Sequence, residues 1–469
     1  MDKQKLHVSL CDLIGADFVI CDEAKMLSFI NEPRKRYHKT ASAIVLPNSV
    51  AQVQKIIRFA NENKIAIIAQ GGNTGLVGGQ VPASGDEIIL SLKKLNSIRE
   101  INTGANYISV EAGLTLQETI EVAEQAGYIY PLSFASKGSA QIGGVLATNA
   151  GGAQVLAYGN ARQTCLGVEA VLADGSLYSG LNSLKKDNTG YDLNNLLIGS
   201  EGTLAIITAA NLKLFPKPIG YHCALVAIDS PTMAFALFQL IQKAAGKNLT
   251  AFELIPHFGL ELQLKYKLLE IDPSAGFSPW YALVEISQFR ESENDLLSNA
   301  LEAAYAKELI KDATSIAQSE SERENIWKFR EQMSECQSFE GVSIKHDISV
   351  PIDKVPQLIE SGIAVIAKIN PNIRPCPFGH MGDGNIHFNF SQPIGMEGKD
   401  FMAMEKQINQ AIYEIVNLLN GSISAEHGIG QLKKNLLAST KDQIALNMMK
   451  KIKQALDPNN ILNPNKLFD

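Results

Sequence analysis

Short apolar runs and 3.6-residue periodicity alternate through the first third of the chain. ASAIVLP (41–47) and IAIIAQ (65–70) predict buried strands on either side of NSVAQVQKIIRFANENK (48–64), which predicts a helix. Ser49 stands at its N-cap with Gln52 three residues on, the spacing of a capping box. EIILSL and YISVEAG predict further strands, and Thr115 with Glu118 caps a second helix, LQETIEVAEQAG. After LFPKP (214–218) the segments lengthen: TMAFALFQLIQKAAG, WYALVEISQF and NDLLSNALEAAYAKEL read as helix, strand and helix. A domain boundary is therefore placed near Pro218, and no fixed-period repeat is present. ENIWKFREQMSECQ (324–337) predicts one helix, which puts Arg330 and Ser334 on one face. GVSIKHDISVP (341–351) predicts a strand with Ile344 and Ile348 on one side and Lys345 and Asp347 on the other; His346 interrupts the apolar side.

Composition narrows the class. A chain of 469 residues is too long for one core, so two or three domains are expected. Its net charge of -7, without a basic run, argues against nucleic acid as a partner. Six scattered cysteines with no CxxC pair point to free thiols in a reducing compartment. No apolar run reaches membrane-spanning length, and MDKQKLHVSLCDLIGADF lacks the features of a secretory or mitochondrial leader. The expected location is cytoplasmic.

Candidate chemistry concentrates in glycine-rich stretches. GGNTGLVGG (71–79), KGSAQIGGVLATNAGGAQVLAYGNAR (137–162) and NTGYDLNNLLIGSEGTLAIIT (188–208) match neither a mononucleotide loop nor a dinucleotide fingerprint. Each alone reads as a set of turns. Three together, rich in Asn, Thr and Ser, favour a large phosphorylated cofactor held by main-chain N–H groups. In GHMGDGNIHFNF (379–390) the Gly-Asp-Gly centre makes a turn that folds His380 back toward His387. Beyond it Ile386, Phe388 and Phe390 alternate with His387 and Asn389. SAEHGIG (424–430) adds Glu426 and His427. Two histidines and a carboxylate suit a catalytic zinc or a non-haem iron, with Cys376 as a rival ligand.

GGNTGLVGGQVP, GSAQIGGVLATNAGG, YGNAR and IGSEGTL resemble the FAD-binding module of the vanillyl-alcohol-oxidase-type flavoproteins. GHMGDGNIH with SAEHGIG is similar to the signature pair of the FAD-dependent D-2-hydroxyacid dehydrogenases, nearest to the D-2-hydroxyglutarate dehydrogenases. The resemblance implies an α+β fold in three parts. An FAD-binding domain (1–218) is followed by an α+β substrate or cap domain (219–425) and a C-terminal segment (426–469) that returns to complete the active site. It implies FAD contacts from Gly71, Gly72, Asn73, Thr74, Gly75, Gly78, Gly143, Gly144, Thr148, Asn149, Gly151, Gly152, Tyr158, Gly159, Glu201, Gly202, Ile206 and Asn463. No His or Cys occurs between 66 and 80, so the FAD is expected to be non-covalent. The resemblance further implies His380, His387 and Glu426 as ligands of a divalent metal, expected to be zinc, and His427 as catalytic base. Asn389 would orient the substrate, and Arg330, Ser334 and Lys345 would hold its carboxylates. Ala205, Ser334, His346 and Asn465 depart from the family's usual Gly, Thr, Tyr and Gly.

The expected reaction is oxidation of a D-2-hydroxyacid, best D-2-hydroxyglutarate, to the 2-oxoacid. Electrons would leave to an external acceptor: an electron-transfer flavoprotein, a quinone or a cytochrome. D-lactate or glycolate is the alternative substrate, a metal-dependent hydrolase the more distant alternative, and a homodimer is expected by analogy.

Overall fold

The strand signals of the first third become two sheets. In a computed structural model that describes residues 2–311 and 314–468, Val19–Ile20 (β1), Ala43–Val45 (β2), Ile67–Gln70 (β3) and Ile88–Ser91 (β4) form one sheet, ordered β1-β2-β4-β3. β2 and β3 both run parallel to β4, so the chain needs a crossover between β2 and β3. The helix Val50–Asn63 supplies it and buries Val53, Ile56, Ile57 and Ala60 in the core above the sheet. Ser49 accepts from the amide of Gln52 as its sequence position predicts. The return bond differs, because Gln52 Oε1 accepts from Asn48 N. The helix Leu116–Gln125 has the full box, with Thr115 and Glu118 each accepting from the other's amide.

Ile98–Asn102 (β5), Tyr107–Glu111 (β6), Tyr128–Ile129 (β7), Cys165–Leu172 (β8), Leu177–Ser179 (β9), Ala205–Lys213 (β10) and Phe215–Pro216 (β11) follow. Five of these make an antiparallel sheet in the order β5-β6-β10-β8-β9, and β7 pairs with β11. β10 lies at the centre and is buried along all but its last residue, which is why AIITAANLK carries no charge before Lys213. Ala205 opens this strand with extended backbone, so it is unstrained in a position where a glycine is not required.

These elements belong to a compact unit of Met1–Gly152, Gly159–Lys217 and Glu426–Asp469. Its C-terminal part is knitted in by named bonds. Leu462 bridges Ile67, and Asn463 accepts from Ala69 N at 2.9 Å and donates to Glu201 O at 2.7 Å. Asn465 sits at φ 62°, a left-handed position that asparagine tolerates.

The second unit consists of Ala153–Tyr158 and Pro218–Ala425. The short segment Ala153–Tyr158 thus belongs with residues far beyond it in the chain, which position in the sequence does not reveal. Gly220–Ile228 (β12), Leu249–Pro256 (β13), Trp280–Gln288 (β14) and Thr314–Ile316 (β15) form an antiparallel sheet in the order β13-β14-β12-β15. Ser343–Ser349 (β16), Arg374–Phe378 (β17) and Asn385–Ser391 (β18) form another, ordered β16-β18-β17. Leu254 of β13 and Gly379, which follows β17, exchange main-chain bonds and join the two sheets. The core between them includes Leu283, Phe329, Met333, Cys376 and Phe378.

One expectation fails here. The predicted helix 324–337 is two helices, Glu320–Glu331 and Met333–Cys336, separated at Gln332 with φ -81° and ψ 0°. Met333 is drawn into the core against Gly259, where a single methyl group would already clash with its thioether. Arg330 ends up buried and Ser334 exposed, so the i, i+4 argument for a shared face does not apply.

Candidate active site

The loop after β3 has main-chain donors to spare for an anionic ligand. None of the main-chain N–H groups from Gly71 to Gln80 donates to another described residue. Runs of such donors form anion-binding nests. The loop is braced from outside: Asn73, at φ 56°, donates through Nδ2 to Asn31 O at 2.7 Å. Its buried Oδ1 and that of Gln141 (Oε1) find no protein donor among the described residues. Gly72 lies so close to Ser139 O that a Cβ would sit 1.7 Å from it, so this approach admits only glycine. On the neighbouring helix Ile142–Ala147, Gly144 faces open space. Thr148 turns its hydroxyl back to Gly144 O, and Asn149, at φ 52°, accepts from Arg162 N.

Lys466 supports the same loop from below. Its buried ammonium donates to Gly78 O at 3.1 Å and Val81 O at 2.7 Å. Burial lowers its pKa to about 7; Glu87 and Glu201 oppose that, and Lys434 adds to it.

Glu426 and His427 sit at the start of a turn that Glu201 fixes. Glu201 Oε1 accepts from Ile429 N and Oε2 from Gly430 N, both at 2.8 Å. Burial raises the Glu201 pKa, and the two amides counter it. Gly430 packs against Val77 O, where a Cβ would approach to 2.3 Å. Glu426 in turn lies against Gly151, where a Cβ would sit 2.3 Å from Oε1. The side chains of Glu201 and Asn463 are thus committed to holding the turn and the loops.

In the second unit the hairpin of β17 and β18 brings His380 and His387 together, with ring centroids 5.4 Å apart. Each has a carboxylate on its Nδ1 side, at hydrogen-bond distance for His380 and farther off for His387. Glu253 Oε1 lies 2.6 Å from Nδ1 of His380, and Asp347, the cross-strand partner of His387, lies 3.9 Å from its Nδ1. Glu253 also takes the Arg330 Nε at 2.5 Å, and Arg330 Nη2 stands 3.5 Å from His380 Nε2. The guanidinium lies 5.0 Å over the Phe378 ring. Burial pushes the Glu253 carboxyl up, but the charges of Arg330 and His380 outweigh it and hold the group at about 2. Asn389 is buried two residues beyond His387. Lys345, which faces Asn389 across the strands, donates to the main-chain oxygen of Ser334 at 3.2 Å. His346 points the other way, bonded to Phe388 O and edge-on to Phe390 and Tyr413, so it belongs to the core side of β16. Of these residues sequence reasoning missed Glu253 and Lys466, and it placed Asp347 on the polar face of its strand without assigning it a role.

The chain matches two family models: "FAD binding domain" over residues 41–180 and "FAD linked oxidases, C-terminal domain" over 221–467. The chain belongs to the FAD-linked oxidases. Among relatives of this FAD-linked oxidase is a D-2-hydroxyglutarate dehydrogenase of Xanthomonas citri pv. viticola, 36% identical over 93% of this chain and 91% of that one. Another is a mitochondrial D-2-hydroxyglutarate dehydrogenase of Danio rerio, 36% identical over 92% and 79%. Among solved structures, p-cresol methylhydroxylase superposes with a TM-score of 0.78 at 18% identity, over 100% of this chain and 97% of that one. It shares the vanillyl-alcohol-oxidase-type fold, which identifies the α+β architecture. The FAD-linked oxidase is therefore an FAD-dependent oxidoreductase, and the hydrolase alternative falls away. The 71–80 loop suits the cofactor's phosphates, since its N–H groups have no acceptor among the described residues and Gly72 clears the approach. Among the described residues no helix is long and apolar enough to cross a membrane.

Proposed function

We propose that this FAD-linked oxidase oxidises D-2-hydroxyglutarate to the 2-oxoacid, with a divalent cation, zinc first, held by His380, His387 and Glu426. The observation that carries the reading is the cluster of Arg330, His380 and His387 within the second unit, with Arg330 and His380 both set by the buried Glu253. A carboxylate at Nδ1 is the usual partner of a metal-binding imidazole, because it leaves Nε2 as the electron-pair donor. Bound there, a divalent cation would lower the pKa of an oxygen it coordinates, and FAD would supply the acceptor for the C2 hydride. The chain's residues do the rest. Arg330 holds a substrate carboxylate with the nitrogens that Glu253 does not occupy. His427 removes the 2-hydroxyl proton on an imidazole nitrogen, which ordinarily titrates near about 6.5. Asn389 orients the oxygen at C2 through its amide. Lys345, anchored on Ser334 O, supplies the cation for a second carboxylate. D-lactate and glycolate lack that group and remain the second reading.

Substrate choice tests this assignment. Lys345→Ala is expected to lower kcat/KM for D-2-hydroxyglutarate by about 10–100-fold, the value of one or two charged hydrogen bonds, and to leave D-lactate nearly unaffected. Equal losses on both acids would remove Lys345 from the dicarboxylate pocket.

The FAD is proposed to be non-covalent, since 66–80 offers no His or Cys for attachment. Acid denaturation should leave yellow flavin in the supernatant, whereas colour retained in the pellet would contradict this. The electron acceptor is proposed to be external, as electron-transfer flavoprotein, quinone or cytochrome. The six cysteines, none paired, suit a reducing compartment such as the cytoplasm, and a homodimer is proposed for the assembly.

A further inference from the structure

Glu253 lies on β13, a strand buried at every position, and its side chain is 1% exposed. A lone buried carboxylate is costly, and a strand of this kind ordinarily carries Val, Ile or Leu. The two oxygens are divided between two partners that come from distant parts of the chain. Oε2 holds Nε of Arg330 at 2.5 Å, and Oε1 holds Nδ1 of His380 at 2.6 Å. The placement is rigid. Leu254, the next residue, exchanges bonds of 2.9 and 3.0 Å with Gly379, the residue before His380. The register of the two backbones therefore brings Glu253 and His380 side by side, and the carboxylate closes the remaining distance.

Two chemical consequences follow. A carboxylate at Nδ1 places the imidazole proton there and leaves the lone pair on Nε2. A carboxylate at Nε fixes the guanidinium plane; Nη2 also stands 3.5 Å from His380 Nε2, so Nη1 and the second N–H of Nη2 form the edge left for a carboxylate.

We propose that Glu253 is a positioning residue that sets the electron-donating nitrogen of His380 and the fork of Arg330 together, so that one buried carboxylate determines both cation affinity and substrate-carboxylate affinity. This rests on the reading of His380 as a metal ligand and Arg330 as a carboxylate anchor. Glu253 touches neither substrate nor flavin in that reading and acts through its two partners.

The test is zinc affinity of the FAD-bound protein, measured by competition with a chromophoric chelator, for the parent, Glu253→Gln and Glu253→Asp. Glutamine has one acceptor oxygen and presents an NH2 group to the other partner, so it cannot serve both donors. E253Q is expected to bind zinc about 10–100-fold more weakly, with a raised KM for D-2-hydroxyglutarate and a flavin content equal to the parent's. E253D keeps the charge and is expected to fall between the two. A parent that binds zinc and an E253Q that binds it equally well would overturn the inference and leave the metal reading standing. A parent that binds no zinc would overturn the metal reading, and the inference with it. Should E253Q fail to fold, 15N NMR of the histidine-labelled, metal-free parent decides the point. The His380 proton is expected on Nδ1, and a proton on Nε2 would overturn the inference.

Discussion

His427→Gln is expected to slow anaerobic flavin reduction by D-2-hydroxyglutarate by about 10²–10⁴-fold, the usual contribution of a positioned general base. The FAD should stay bound. The turn that carries His427 is fastened through the amides of Ile429 and Gly430 to Glu201, and those bonds do not involve the imidazole. The loss should persist across the pH range, since the variant has no proton acceptor at this position. Glutamine keeps roughly the same length and polarity but cannot take up a proton. A variant with unchanged kcat and unchanged pH profile would assign the base to another group. Stopped-flow absorbance at the flavin band supplies the rate, and the same cuvette supplies the flavin content.

Arg330→Met is expected to have two separable effects. Loss of the fork should lower kcat/KM by about 10²–10³-fold, because a charge-assisted, bidentate carboxylate contact is removed from a largely buried site. Loss of the guanidinium also leaves Glu253 without its strongest counter-charge. Breaking a buried ion pair from one side costs about 3–5 kcal/mol, so the melting temperature should fall as well. The pH dependence gives the sign. In the parent the Glu253 pKa is depressed, so its stabilising contribution is present above the ordinary carboxylate pKa and is lost as pH falls toward about 2. Without Arg330 the carboxyl titrates higher, and the loss of stability on acidification should begin at higher pH. Arg330→Lys separates the two effects, since it retains a counter-charge for Glu253 and lacks the fork. It should recover most of the stability and little of the activity. Recovery of full activity by lysine would reduce Arg330 to a point charge.

The sequence carried the local half of this picture. Period-two alternation placed β16 and β18, the Gly-Asp-Gly turn placed His380 beside His387, and capping residues placed the helix starting at Val50. All of these depend on neighbours within a few residues. What it did not show depends on distant packing. Glu253 sits in LTAFELIP, where a single glutamate carries no signal, and its partners lie 77 and 127 residues further along the chain. The break at Gln332 comes from Met333 packing on Gly259, which no helical periodicity encodes. Ala153–Tyr158 reads as part of a glycine-rich loop region and yet folds with the second unit. The glycines at 71–79 announced a ligand loop. Only the structure shows that the loop's N–H groups have no acceptor among the described residues while its outer face is bonded to Asn31.

The central claim is that a D-2-hydroxyacid delivers its hydride to FAD bound in this chain. One anaerobic absorption spectrum, taken before and after adding D-2-hydroxyglutarate, tests it most directly. The account predicts a flavin band in the purified protein that bleaches when the acid is added. A flavin band that persists with D-2-hydroxyglutarate, and also with D-lactate and glycolate after zinc is restored, would contradict it.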